Sequence, residues 1–478
     1  MTSNEIFQVG VARADITPQP GISLMGYTVR EGFSHGVHMP LTATALVVDG
    51  VGGRVAIIAI DCAALLLGFA HEVRSRCGEA LGVSVEGVLI NFSHTHSSPP
   101  PPEWAPYQTK DQLERQAVWA RQLLDGCVSA CQQAAGSMRT ARLAVGWGEC
   151  RGNINRRQKT DDGQVLLGED ASAPSDHTVA VLRFDDLDGR PIAIAYRYSC
   201  HTVTLGPRTN VISPDFVGPA RQLIERELAC PSLFLQGCAG NQNPATGIGQ
   251  DREGADDTVR LGHMLGGEVL KVCAGLRTHR QRTEPRLVRS VAVYWLYEYE
   301  KIEPGGVGSV NARAMESTLP LAPFPELKGV QREADEWLLK RREAEQRNAT
   351  EAEQNVNQRF TWWAERRLSA ACAGTNPINT TFPLQSIRIG PVEFVAIPFE
   401  VMSETGMDLR SASPAPHTLV LGYSNGIVSY LPTPTISREG GMEAKLGYKA
   451  YLVPSEIPGD WEPRICQDAL RLIERNRS

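Results

Sequence analysis

Short apolar runs alternate with amphipathic stretches along most of this chain, and many of the runs stop at a polar residue. Thr42–Val48 (TATALVV) and Arg54–Ile60 (RVAIIAI) predict strands, the second so continuously apolar that both of its faces are expected to be covered. Further strands are predicted at Phe7–Ile16, Val85–Phe92, Leu143–Cys150, Val179–Phe184, Pro191–Tyr198, Leu233–Gln236, Leu287–Tyr299, Thr381–Ile389, Val392–Ile397, Thr418–Leu421 and Ile427–Tyr430. Apolar residues at helical spacing predict helices over Phe69–Leu81, Asp111–Ala135, Phe216–Cys230 and Asp251–Leu276. The stretch Leu327–Ala373 is rich in Glu, Arg, Ala and Gln and carries no strand signal. It reads as a helical insertion of one or two helices, since removing it leaves an uninterrupted series of strands and helices. The expectation is an α/β protein: one domain over residues 1–478, a large mixed sheet flanked by helices.

The places where the apolar runs end carry the chemistry. Val88–Phe92 runs into Ser93-His94-Thr95-His96-Ser97-Ser98 and then four prolines, which forbid any regular element. In an extended chain residues i and i+2 share a side, so His94 and His96 are expected to face one cavity. The strand Pro191–Tyr198 ends near His201, Val392–Ile397 ends near Glu400, and Ile427–Tyr430 ends in a phenol. Three His/Glu ligands with an open fourth position are the usual make-up of a catalytic zinc site. His35 and His38 lie in a Gly-rich loop and are candidates for extra ligands, although a loop HxxH without fixed geometry is more often substrate-facing or merely solvated. Asp61, at a strand end, is open to two roles: orienting a ligand histidine or capping the next helix. The polar segment 151–157, read as a loop, offers Arg156 to a polar substrate head. Cys238, in the Gly/Asn loop after Gln236, is a candidate nucleophile, although buried inert cysteine is the commoner fate.

Composition narrows the classes. With 42% hydrophobic and 21% charged residues and a net charge of −6, no basic stripe invites nucleic acid. The N-terminal stretch lacks a signal pattern and no later stretch approaches the roughly 18 apolar residues of a membrane span, so a cytoplasmic location and no membrane partner are expected. Eleven cysteines without a CxxC fit reduced thiols. Homo-oligomerisation is compatible with all of this.

Taken in order, VGVARADITP, MGY, GVHMPL, SHTHSSP, NINR, SCHT, QGCAGNQNP, IPFE and GYSNGIVSY resemble the neutral, non-lysosomal ceramidase family from about Val9 to Tyr430. The resemblance implies a large α/β catalytic domain and zinc-dependent hydrolysis of an N-acyl amide bond. It implies His94, His201, Glu400 and Tyr430 as zinc ligands, His96 as the nearby histidine that helps stabilise the oxyanion or move a proton, and Arg156 as a substrate-facing residue; the mechanism expected on these residues has His96 and Tyr430 stabilising the oxyanion. Asn243 stands where the family has a serine, and Met442 where it has a tyrosine. The chain ends at Ser478, short of the C-terminal immunoglobulin-like domain of that family, which is therefore not expected. These departures turn the expectation toward a small or polar acyl-amide substrate, bound with the help of Asn243, Arg156 and His38, rather than ceramide. A zinc-dependent esterase or lactonase and a non-catalytic zinc-binding relative are the alternatives, with a cysteine hydrolase behind them.

Overall fold

The computed structural model describes residues 2–477, apart from 102, 103, 105–108, 250, 284, 285, 290–292, 297 and 375. Its centre is an eight-stranded mixed sheet in the spatial order Ser232–Gln236, Pro191–Tyr198, Thr178–Asp185, Arg139–Glu149, Thr2–Asp15, Thr42–Gly50, Gly53–Ile60 and Val88–Phe92. The six middle strands pair antiparallel, while each edge strand pairs parallel with its neighbour. The two edges are tied together, because Gln236 N donates to Asn91 Oδ1 at 2.7 Å and Asn91 Nδ2 donates to the Gln236 carbonyl at 3.2 Å. Curling the sheet in this way brings the ends of Val88–Phe92 and Pro191–Tyr198 to one side of the molecule, which is where His94 and His201 emerge.

A second sheet, in the order Val310–Pro320, Asn379–Ile389, Val392–Ala396 and His417–Leu421, packs on the first. Phe7, Val9, Leu46, Val48, Ile57 and Leu89 meet Ile387, Ile389, Val392, Phe394, Leu419 and Leu421 in one buried cluster. Burying an aliphatic or aromatic side chain stabilises by roughly 1.5–3 kcal/mol, so this interface sets the angle between the sheets firmly. The first sheet's other face is covered by Leu67–Leu81 and Lys110–Gly136 at one end and by Val217–Leu228 and Asp251–Gly275 at the other. Local signals end these helices where expected. Thr109 caps Lys110–Gly136 by accepting from Gln112 N, and Gly82 closes Leu67–Leu81 with a left-handed φ of 68°.

Two helices, Leu327–Gln346 and Glu351–Cys372, pack against each other across the stretch read as Leu327–Ala373. Three expectations change. The single strand expected over Leu287–Tyr299 is instead two short pairings, Arg286–Arg289 with Val293–Leu296 and Arg280–Arg282 with Tyr299–Lys301; residues 290–292 and 297 lie outside the described residues. The supposed loop at 151–157 is mostly strand, since Asn153–Lys159 pairs with Val165–Asp170 and with Gln242–Pro244. The strand expected over Ile427–Tyr430 begins only at Tyr430, as Tyr430–Leu431 paired with Glu400–Val401; beyond these, Val310–Pro320 and the amphipathic helix Trp461–Arg477 are elements for which the sequence raised no expectation. The eleven cysteines are all free thiols.

Candidate metal centre

The segment after Val88–Phe92 does not continue as a strand. His94 sits at φ 62°, a left-handed conformation that costs a non-glycine residue roughly 1–2 kcal/mol, and its N–H is held on the Cys62 carbonyl at 2.9 Å. Strand alternation therefore does not explain why His94 and His96 meet, as the spacing argument supposed. The turn at His94 does, helped by Thr95, which forms a one-residue parallel bridge with Thr202 and so sets this segment beside the one carrying His201. His94 Nε2 and His96 Nε2 end 3.2 Å apart, and the nitrogens of His94, His96 and His201 lie within 4.8 Å of one another.

The second ring nitrogen separates the three histidines. His94 Nδ1 lies 2.7 Å from the Ala63 carbonyl, and His201 Nδ1 lies 2.8 Å from the Ala239 carbonyl. A carbonyl only accepts, so each Nδ1 carries the proton and each Nε2 presents a lone pair to the centre. His96 Nδ1 is buried and has no partner among the described residues, so nothing commits that ring to the same tautomer.

Glu400 follows the second sheet's strand Val392–Ala396 and lies outside that sheet, in the short parallel pairing of Glu400–Val401 with Tyr430–Leu431. Its Oε2 lies 3.1 Å from His201 Nε2 and 3.5 Å from His94 Nε2. Two lone pairs and a carboxylate oxygen thus converge in a buried site, an arrangement that repels itself unless a cation lies between them. The donor set suits zinc chemically. Tyr423 donates to Glu400 Oε2 at 3.2 Å and Tyr451 donates to Oε1 at 2.5 Å. Arg156 closes the ring of contacts. Its Nη1 donates to His201 Nε2 at 3.2 Å and to Asn243 Oδ1 at 3.4 Å, its Nη2 donates to the Tyr430 hydroxyl at 3.2 Å, and its Nε pairs with Glu443 at 3.0 Å.

The electrostatics follow from this packing. Burial, then the neighbouring imidazoles and arginine, push His94 down to about 4 and His96 well below its ordinary value, so both rings are neutral at pH 7. Burial of Glu400 opposes its charge, yet its carboxyl is held below the ordinary range, with the Arg156 guanidinium as the standing positive charge; His94 and His201 would add to that only when protonated. Burial pushes the phenols of Tyr423, Tyr430 and Tyr451 well up, which keeps them protonated.

The centre lies at one side of a cleft of about 730 Å3, measured with its open mouth. Leu24, Met25, Pro100, Trp104, Ala450 and Met442 make its wall largely apolar. Gly26, at φ 105°, backs His96 so closely that a Cβ there would stand 2.2 Å from His96 Cγ. His38 does not line this cleft; it is exposed, with Nδ1 3.1 Å from Ser213 Oγ, and His35 is exposed as well. Asp61 takes neither role suggested for it. Its carboxylate holds Arg221 at 2.8 Å and the Thr42 N–H and hydroxyl at 2.9 Å. Cys238 is fully buried under the second sheet and burial pushes its thiol up to about 11, so it is no nucleophile for the cleft. Tyr423, Tyr451 and Glu443 carry no spacing signal relative to the histidines and were not legible as site residues.

The family model for neutral/alkaline non-lysosomal ceramidase, N-terminal, matches residues 7–251. The chain belongs to the neutral/alkaline non-lysosomal ceramidase family. Neutral ceramidase of Pseudomonas aeruginosa is 24% identical over 480 aligned residues, which cover 89% of this chain and 67% of that protein. Neutral ceramidase A and neutral ceramidase B of Dictyostelium discoideum are 27% and 28% identical over 47% and 52% of this chain, matches that span about a third of each relative (33% and 35%). The crystal structure of neutral ceramidase from Pseudomonas aeruginosa superposes with a TM-score of 0.66 over 99% of this chain and 75% of that one, at 19% identity. The mixed α/β architecture is that of the ceramidase fold.

Proposed function

We propose that this chain is a zinc-dependent hydrolase of N-acyl amide bonds, acting on a small or polar acyl amide rather than on ceramide. The observation that carries the reading is the convergence of the His94 and His201 Nε2 lone pairs on Glu400 Oε2, at 3.5 and 3.1 Å, beside an apolar cleft. His94, His201 and Glu400 would hold the ion, with Tyr430 as the fourth ligand. A bound divalent ion supplies a Lewis acid for the amide carbonyl and for water.

The chain's own residues do the rest. His96, whose tautomer is not locked by a carbonyl, can donate from Nε2 to a developing oxyanion and pass a proton to the leaving nitrogen. Arg156 stands over the Tyr430 ring, 5.5 Å from its centroid, and its positive charge opposes the burial that keeps this phenol protonated, so it favours the charge the phenol would carry as a ligand. Leu24, Met25, Pro100 and Trp104 offer an apolar wall to an acyl group and keep bulk water from it. The departures Asn243 and Met442, both within reach of Arg156, support a changed amine-side partner.

The test is elemental analysis of the purified protein, followed by hydrolysis of matched N-acyl amides, esters and ceramide before and after chelation. One zinc per chain with chelator-sensitive cleavage of polar acyl amides is expected. Cleavage that survives chelation overturns the metal reading, faster cleavage of esters overturns the bond assignment, and preference for ceramide overturns the substrate assignment.

A further inference from the structure

We propose that Tyr451 is a positioning residue of the metal centre: its phenol fixes Glu400 Oε1, so that Oε2 alone turns toward His94 and His201. This rests on the reading that those side chains hold an ion. A carboxylate that accepts at only one oxygen can rotate about its last bond and exchange the two. Glu400 is 1% exposed and has a phenol on each oxygen, Tyr451 on Oε1 at 2.5 Å and Tyr423 on Oε2 at 3.2 Å. Tyr451 gives the shorter contact, and it sits on the oxygen that faces away from the imidazoles. Taking it away leaves Oε1 without a donor in a buried site, and turning Oε1 inward is the direct relief.

Tyr451 is itself held. Its N–H bonds the Gly447 carbonyl at 3.0 Å, and its ring stands edge-on to Trp104, with centroids 5.0 Å apart. The residue before it is tied to the helix Glu351–Cys372. Arg359 donates to the Ala450 carbonyl and, at 2.9 Å, to the Trp104 carbonyl, with its guanidinium 4.6 Å from the Trp104 ring centroid. The outlying helical pair thereby fixes the turn that carries the phenol. Met442, the position at which a tyrosine is expected from the family resemblance, contributes a thioether to the same cleft. The cleft nevertheless keeps a phenol from this region, brought in from nine positions further along.

Tyr451→Phe removes one oxygen and keeps the ring, and a thermal melt checks that the variant folds. Zinc affinity is read by competition with a chromophoric chelator, and ligand geometry from the visible spectrum of the cobalt-loaded protein. Relative to wild type, zinc binding should weaken by about ten- to a hundredfold and the cobalt bands should shift. In a Glu400→Gln background the same change should have little further effect on affinity, because the phenol acts through that carboxylate. Unchanged affinity and spectrum in Tyr451→Phe, or equal weakening in both backgrounds, overturns the proposal. Wild-type protein that binds no zinc removes the reading of the centre itself, whereas wild-type binding with an unchanged Tyr451→Phe removes only the part given to Tyr451.

Discussion

Glu443→Gln tests how the centre is held in place. Glu443 is the shared counter-ion of two buried guanidiniums: Arg156 Nε lies 3.0 Å from one oxygen and Arg157 Nη1 lies 2.5 Å from the other, and the carboxylate side chain is 1% exposed. Arg157 keeps a second, looser pair with Glu439 at 3.4 Å, but Glu443 is the only ion pair of Arg156 among the described residues. The amide preserves the shape and removes the charge, so Arg156 is left buried without its carboxylate. Breaking a buried pair from one side costs about 3–5 kcal/mol, against a total of roughly 5–15 kcal/mol for a folded domain. Glu439→Gln is the control. That carboxylate is 26% exposed, and its loss should cost less than about 1 kcal/mol. Urea unfolding at pH 7 measures both variants, and their m-values show whether the same surface unfolds. A Glu443→Gln protein within about 1 kcal/mol of wild type would refute the argument that one carboxylate neutralises the arginine spanning His201 and Tyr430.

Further outcomes follow from the same geometry. His96→Ala should retain zinc while its turnover falls about a hundredfold or more, the loss typical of one oxyanion donor; zinc analysis beside steady-state kinetics checks this, and loss of metal would make His96 a ligand instead. Gly26→Ala should displace the His96 ring and lower turnover by about tenfold or more with the metal kept, since a Cβ has no room there and φ is 105°. Asp176, buried against Arg197 at 2.6 Å and Arg410 at 3.2 Å, bears on acid stability. Burial opposes its charge, but the two arginines outweigh that and hold the carboxyl well below its ordinary range. A carboxyl lowered in the folded state stabilises above its unfolded pKa and loses that contribution as pH falls through the folded one. Asp176→Asn should therefore destabilise near pH 7, and the gap to wild type should close below about pH 4, read by urea unfolding across pH.

The strand-and-helix frame is legible from short continuous apolar runs such as Arg54–Ile60 and from helical spacing such as that of the helix from Lys110. His94, His201 and Glu400 were legible because each follows an apolar run that stops short. The manner of their meeting was not. The left-handed turn at His94 is held by Cys62 and Ala63, 32 and 31 residues earlier in the chain, and no local pattern announces it. Arg156 was placed in a loop because Asn153–Lys159 is a strongly polar strand, and its pairing with Gln242–Pro244 depends on the partner rather than on its own hydrophobicity. Tyr451 and Glu443 reach the centre only through tertiary packing. A Gly-rich loop makes His38 a candidate to face a substrate, but its Nδ1 meets Ser213 Oγ and it does not line the cleft.

The docking of the two sheets has a consequence for how the protein matures. A chain emerging in order would have made both imidazole contributors long before the acidic one, and a piece cut at residue 251 would hold the first pair and lack the third. On the proposed reading, all three groups could grip an ion only after the segment carrying Glu400 has packed against the ends of the first sheet, so metal content would report completed assembly of the centre.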